Sequence, residues 1–273
     1  MNKNAKTNSF SAKLASIVIP IALVIAYVVF EFVMGNPANF EGGDTSNHPI
    51  PGNYLGMVYK GGYVVPVLMA LMFLVITFSI ERLIVIRKAT GTSAIDSFMV
   101  KVREYLHKRD IDGCIALCDK QQGSLANVIQ SALNRYKIVE KDRELDKEQK
   151  IAAIQEDIEE ATTLELPALE KNLVYLSTIS SVATLVALLG TVLGMIRAFA
   201  ALATAGAPDS VALATGISEA LINTALGIAT SAVAIIMYNV FTTRIDKLTY
   251  SIDEAGYSIV QTFASSHTNK ENA

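Results

Sequence analysis

One carboxylate, Glu219, stands eight residues into an apolar stretch of the chain, and an amide, Asn223, follows about one helical turn later. An acid at the centre of a membrane helix costs about 2.5–3.5 kcal/mol on insertion scales, so a retained one points to proton or ion transfer. The plainer alternative is an acid near a membrane surface, satisfied by water or by a neighbouring subunit. Around it runs a seam of hydroxyl and small side chains. In Leu173–Leu202, Ser177, Thr184, Thr191 and Ala198 recur every seven residues beside Ser180, Ala187, Gly194 and Ala201. In Val211–Phe241, Thr224 and Ser231 recur at the same spacing beside Ala220, Gly227 and Ala234. Seven residues are close to two helical turns, so each set occupies one helix face. Hydroxyls give polar contacts without fixed charge, so a helix bearing one acid can slide or rotate against them at low cost. A single threonine in a membrane helix usually bonds its own backbone; only the row as a whole argues for a path. Thr224 and Glu219 lie about 140° apart around a helix and so face different ways.

The elements that must hold these groups are long. Of 273 residues, 51% are hydrophobic, and they cluster in four runs, Leu14–Met34, Val64–Ile86, Leu173–Leu202 and Val211–Phe241. Each is near or beyond the ~20 residues that cross a bilayer core. The expected fold is therefore all-α, a polytopic membrane protein with four spans. Lys3, Lys6 and Lys13 precede the first run, but it outlasts an ordinary signal-peptide core and no A-x-A site follows, so it reads as an anchor. Net charge is −3, and no basic patch interleaves with aromatics, which argues against a nucleic-acid partner.

Basic residues near helix ends orient the chain. The N-terminal lysines place that end in the cytoplasm, and Gly35–Gly62, with Lys60 alone, reads as an exported loop. Arg82, Arg87 and Lys88 end the second run, Lys171 precedes the third, and Arg244 and Lys247 follow the fourth, so both termini are expected inside. Ala203–Ser210 is then a short outer turn. Arg197 is expected to snorkel to the outer interface, and Glu81 with Arg82 to form an interfacial anchor or ion pair.

Between the second and third runs, helices are expected at Ser93–His107, Asp112–Lys120, Leu125–Tyr136 and Asp146–Leu166, with the charged Lys137–Lys150 as a solvated face or turn. Pro167 is expected to kink a helix running on into the third span. Thr242–Phe263 reads as amphipathic and Ala264–Ala273 as disordered. Cys114 and Cys118, without a second pair or a histidine cluster, read as reduced structural thiols, and neither a metal nor a cofactor is expected. Gly190 and Gly194 fit close helix packing, as does Gly227.

The stretch Ala187-Leu-Leu-Gly-Thr-Val-Leu-Gly-Met-Ile196 resembles the GLLGTVWGM signature of the ExbB/TolQ/MotA proton-channel family. Gly216-Ile-Ser-Glu-Ala-Leu-Ile-Asn-Thr-Ala-Leu-Gly227, followed by Tyr238-Asn239, is similar to its GIAEALxxTAxG…YN signature. Ser79-Ile-Glu-Arg-Leu83 resembles the end of its first helix. The likeness is greater to ExbB or TolQ than to MotA, whose loop between the middle spans is larger. Two departures stand out: the family often has proline where Thr184 and Val233 stand, and Leu14–Met34 is an extra span.

The resemblance implies three core spans plus this extra one, long helical cytoplasmic extensions, and a homo-pentamer in the bacterial inner membrane. It also implies a single-span partner of the ExbD/TolR type that carries a protonatable Asp, and possible work on a TonB-like protein. On that reading 1–35 is a cytoplasmic stub and the extra membrane helix, 36–62 a periplasmic loop, and 63–87 the second membrane helix. Residues 88–171 form a helical cytoplasmic domain, 172–241 the pore-forming pair, and 242–273 a cytoplasmic tail. Glu219, Thr191, Thr224, Thr184, Ser231 and Asn223 become proton-path or pore-lining candidates.

The expected function is an ExbB-like motor subunit that converts proton-motive force into work for TonB-dependent outer-membrane transport. A TolQ-like, gliding or secretion motor subunit would share the seam, and a non-conducting scaffold would use it only for packing. Coupling to sodium instead of protons is left open. An intramembrane enzyme is disfavoured, because His48, His107 and His267 all lie outside the spans and no acid pair or Ser–His combination lies within them.

Overall fold

The computed structural model describes residues 17–203 and 210–271. The outer turn expected at Ala203–Ser210 and the stub before the first span fall almost wholly outside them. The described chain is helical, without strands beyond one isolated bridge between Phe40 and Pro49. Its helices are α1 (Ile17–Met34), α2 (Tyr54–Tyr59), α3 (Val65–Thr90), α4 (Ile95–His107), α5 (Ile111–Gln121), α6 (Ser124–Lys141), α7 (Lys147–Glu170), α8 (Leu173–Ala203) and α9 (Ser210–Glu271). Contacts divide the chain into two units, residues 1–80 with 172–239, and 81–171 with 240–273.

In the first unit the contact between α8 and α9 reverses the usual polarity of a folded protein. Small residues are inside: Ala183, Ala187 and Ala198 of α8 and Ala220 and Ala234 of α9 are buried, as are Gly190, Gly194 and Gly227. Large ones face out, among them Leu185, Leu188, Val192, Ile196 and Phe199 on α8 and Leu221, Ile228 and Ile236 on α9. Such a surface is stable against hydrocarbon and not against water. Among the described residues four helical segments are long and apolar enough to span a bilayer, and they include α1, α3, α8 and α9. The protein is a multi-pass membrane protein.

The segment between α1 and α3 is a folded cap. Asn39 donates to the Val33 and Met34 carbonyls at 2.9 Å each, satisfying the end of α1. Asn53 donates to Asn39 at 2.9 Å and accepts from the first amides of α2. Phe30 stacks on Tyr59 with centroids 4.7 Å apart. Tyr59 lies against Gly35, where a Cβ would collide with its ring.

The second unit has ordinary polarity. Phe98, Val102 and Leu106 of α4, and Leu125, Ile129 and Leu133 of α6, are buried. On α9, Ile245, Leu248, Ile252, Ala255 and Ile259 are buried at alternating three- and four-residue spacing, the pattern of a helix seam. Local signals set the ends of these helices. Asp110 caps α5, accepting from Gly113 N at 2.9 Å. Asp146 and Gln149 form a capping box at the start of α7.

Two expectations are corrected. The break before α8 falls at Asn172, which takes φ +56. Pro167 lies inside α7, and its carbonyl accepts the Lys171 amide at 3.1 Å. Asn tolerates the left-handed region better than most residues, and so the turn forms there. Nor does the helix stop at Phe263. Phe263 is fully buried and meets the Tyr136 ring edge-on at 4.9 Å, and α9 continues to Glu271. A buried aromatic anchor extends a helix that composition alone reads as a fraying tail.

Arg82, 2% exposed, is held by Glu81 at 2.5 Å and donates to the Leu169 and Ala168 carbonyls at 3.0 and 3.3 Å. It caps the C-terminal turn of α7, where carbonyls lack helical partners and the dipole favours a cation. Arg82→Ala is expected to cost about 3 kcal/mol, as buried charges lose their partner. The thermal unfolding midpoint in detergent should fall by several degrees, and Arg82→Lys should recover only part of it.

Candidate proton-path site

The site is built where α8 and α9 touch through their backbones. A Cβ on Gly194 would stand 2.9 Å from Ala220 N and Gly216 O, and one on Gly216 would stand 2.8 Å from Ala198. A Cβ on Gly227 would overlap Ala187. With no side chains between them, the helices bring their hydroxyls into direct contact.

Thr191 Oγ1 and Thr224 Oγ1 lie 2.6 Å apart. Each is also within reach of its own helix carbonyl, Ala187 O at 3.0 Å from Thr191 and Ala220 O at 3.1 Å from Thr224. Thr191 Oγ1 also lies 3.4 Å from Ala220 O, so two hydroxyl protons are shared among four contacts. Thr191 can donate to Ala187 while Thr224 donates to Thr191, or Thr224 can donate to Ala220 while Thr191 donates to Thr224. The pair thus has more than one hydrogen-bond arrangement at one set of atomic positions. Further along, Ser231 donates to the Ser180 carbonyl, and Ser180 to that of Ser177 at 2.7 Å. Thr184 lies half-buried on α8.

Glu219 and Asn223 face elsewhere. Glu219 is 5% exposed, and the Arg197 guanidinium donates to its Oε1. Arg197, expected to snorkel, is therefore the acid's partner, while half its side chain remains exposed. Gly62, at φ +75, lies so close that a Cβ would overlap the Glu219 carboxylate. Asn223 is fully buried. Its Nδ2 donates to Gly61 O at 3.0 Å, and its Oδ1 has no partner among the described residues. Gly190 provides its slot, since a Cβ there would stand 2.8 Å from Asn223 Cβ. The glycine pair 61–62 thus seats the loop between α1 and α3 on α9. Sequence reasoning missed this role and that of Arg197, because the loop's glycines read as turn residues and an arginine late in a span reads as an anchor.

Among the described residues no group of three or more His, Cys, Asp or Glu could hold a metal. Cys114 and Cys118 are free and buried on α5. The hydrogen bond between them and burial push the Cys118 thiol well above its ordinary range, so it stays a protonated, inert group at neutral pH.

The arrangement offers a buried acid with a cationic partner and a separate, reorientable hydroxyl pair. Residues 120–254 match the family described as MotA/TolQ/ExbB proton channel family. Just under half of the chain, 135 of its 273 residues, matches that family. Its proteins are channel or motor subunits and not enzymes. The chain is 40% identical over 88 residues to the Tol-Pal system protein TolQ of Pseudomonas aeruginosa, covering 32% of this chain and 38% of that protein. It is 37% identical over 71 residues to the biopolymer transport protein ExbB of Salmonella typhimurium, covering 26% and 29%. A putative ExbB homolog of Methanothermobacter thermautotrophicus matches at 27% over 195 residues, 71% of this chain and 65% of that one. The matched segment spans about two-fifths or less of the TolQ and ExbB relatives.

Asn223→Ala should leave Gly61 O without its donor and open a void beside Gly190. A loss of about 1–3 kcal/mol is expected, read as a lower unfolding midpoint and faster proteolysis of the 36–62 loop. Gly227→Leu should separate α8 from α9 and cost about 1–3 kcal/mol through overpacking; disulfide trapping between cysteines placed at 191 and 224 should then slow markedly.

Proposed function

We propose that this protein is a proton-channel motor subunit that converts the proton-motive force into mechanical work. The observation that carries the reading is the Thr191–Thr224 pair, with its interchangeable hydrogen-bond arrangements across a helix contact. A row of neutral hydroxyls can accept a passing acid and release it, because no fixed charge holds it in place. The described membrane helices carry few ionisable groups, so the titrating carboxylate that moves is supplied by a partner, a single-span protein of the ExbD/TolR type with a protonatable Asp. Thr184 and Ser231 extend the row, Glu219 and Asn223 govern its exported end, and Gly190, Gly194 and Gly227 set its width.

In this reading the protein sits in the bacterial inner membrane with both termini in the cytoplasm, and five copies surround the partner helix. The domain division is that of the topology: stub and extra helix, periplasmic loop, second helix, cytoplasmic domain, pore pair and tail. Each proton falling through 100 mV releases about 2.3 kcal/mol, enough to shift a two-state partner by well over tenfold. The work delivered is TonB-dependent outer-membrane transport in the ExbB-like version. The TolQ match at 40% identity favours a TolQ-like envelope motor as the second reading.

Thr191→Val combined with Thr224→Val keeps the packing volume and removes both hydroxyls. Expressed in place of the native protein, the pair should still assemble with its partner while proton-motive-force-dependent work falls by at least tenfold, and Thr→Ser changes should restore most of it. Wild-type activity in the valine pair would mean that the seam only packs helices.

A further inference from the structure

A second polar site lies in the unit formed by residues 81–171 and 240–273. A cavity of about 480 Å³ is lined by Arg87 and Thr90 at the end of α3, Ser93 and Ala94 leading into α4, and Arg244 and Lys247 on α9. Three cationic side chains border one hollow. Lys247 has an acidic partner, Asp96, at 2.9 Å. Neither Arg87 nor Arg244 has an ion-pair or hydrogen-bond partner among the described residues.

The wall is rigidly framed. Gln121, 4% exposed, donates to the Thr90 and Ser93 carbonyls at 2.9 Å each and accepts from the Ser93 hydroxyl. Gly91 turns the chain at φ +86, where a Cβ would press on the Gln121 and Gln122 carbonyls. At the head of the 13-residue α4, Ala94 stands in the cap position and no side chain bonds the first amides. Those amides lack helical partners and add positive potential to that of the arginines. The hollow also sits at a boundary: Arg87 directly follows the apolar run of α3, and Arg244 lies three residues beyond Phe241, where that of α9 ends.

We propose that this cavity binds a phosphate-bearing anion, with Arg87 and Arg244 as its principal ligands and Lys247 as a third. Guanidinium groups pair with phosphate oxygens in a fork that ammonium groups cannot match. Two sources share this chemistry: the headgroup of an acidic phospholipid at the inner membrane surface, and soluble phosphate. The site does not involve the α8–α9 seam, so its binding and the channel activity can fail separately.

The full-length protein, purified and delipidated in neutral detergent, is titrated with phosphatidylglycerol, with phosphatidylcholine and with inorganic phosphate while its unfolding midpoint is followed. Phosphatidylglycerol should raise the midpoint in the wild type and phosphatidylcholine should not. Arg87→Gln with Arg244→Gln should weaken the apparent affinity at least tenfold. Arg103→Gln, which removes an exposed arginine paired with Glu254 outside this cavity, should leave it unchanged. A midpoint shift by inorganic phosphate alone that the double variant loses assigns the site to soluble phosphate. Equal response to both lipids without any to phosphate, equal binding by the double variant, or an equal loss in Arg103→Gln would overturn the proposal.

Discussion

The structure of the membrane unit depends on how closely the backbones of α8 and α9 approach. Where Gly194 meets Gly216 and Ala220, and Gly227 meets Ala187, not even a methyl group fits on the glycines. In hydrocarbon there is little hydrophobic gain in pressing two helices together, so association relies on dispersion and hydrogen bonds at short range. Small residues allow that range, and the Thr191–Thr224 contact is its product. Widening the gap by one methylene would separate the hydroxyls beyond hydrogen-bond reach.

The same chain solves opposite solvation problems in its two units. At the α8–α9 contact of one, alanine and glycine are inside and leucine faces out; in the other, isoleucine and phenylalanine are inside. Helix α9 contributes to both, with Ala220, Gly227 and Ala234 buried in its first half and Ile245, Leu248 and Ile252 in its second. The type of buried residue thus changes along a single uninterrupted helix.

Charges at the edges of the apolar runs are placed with partners. Glu219 has Arg197, and Arg82 has Glu81 and the final carbonyls of α7. In each case a group too costly to leave bare is satisfied by a neighbour that also fixes a boundary, the loop over α9 in one case and the end of α7 in the other. Arg87 and Arg244, lacking such partners, are therefore conspicuous.

Much of the helical framework was legible in the sequence. Run lengths of about 20 residues or more and the small-residue spacing follow from local chemistry, and so does the separation of Glu219 from Thr224 around a helix. Less legible were the break at Asn172 in place of Pro167, and the continuation of α9 past Phe263. The first depends on which residue can adopt a left-handed turn under load, and the second on a distant Tyr136 ring. The sequence by itself determined which residues each helix presents on a common face, because 3.6 residues per turn is set by the backbone. Only the tertiary structure decided which faces meet: Thr191 with Thr224, Asn223 with the Gly61 carbonyl, Arg197 with Glu219. Those pairings depend on distances between segments far apart in the chain, which no local periodicity encodes.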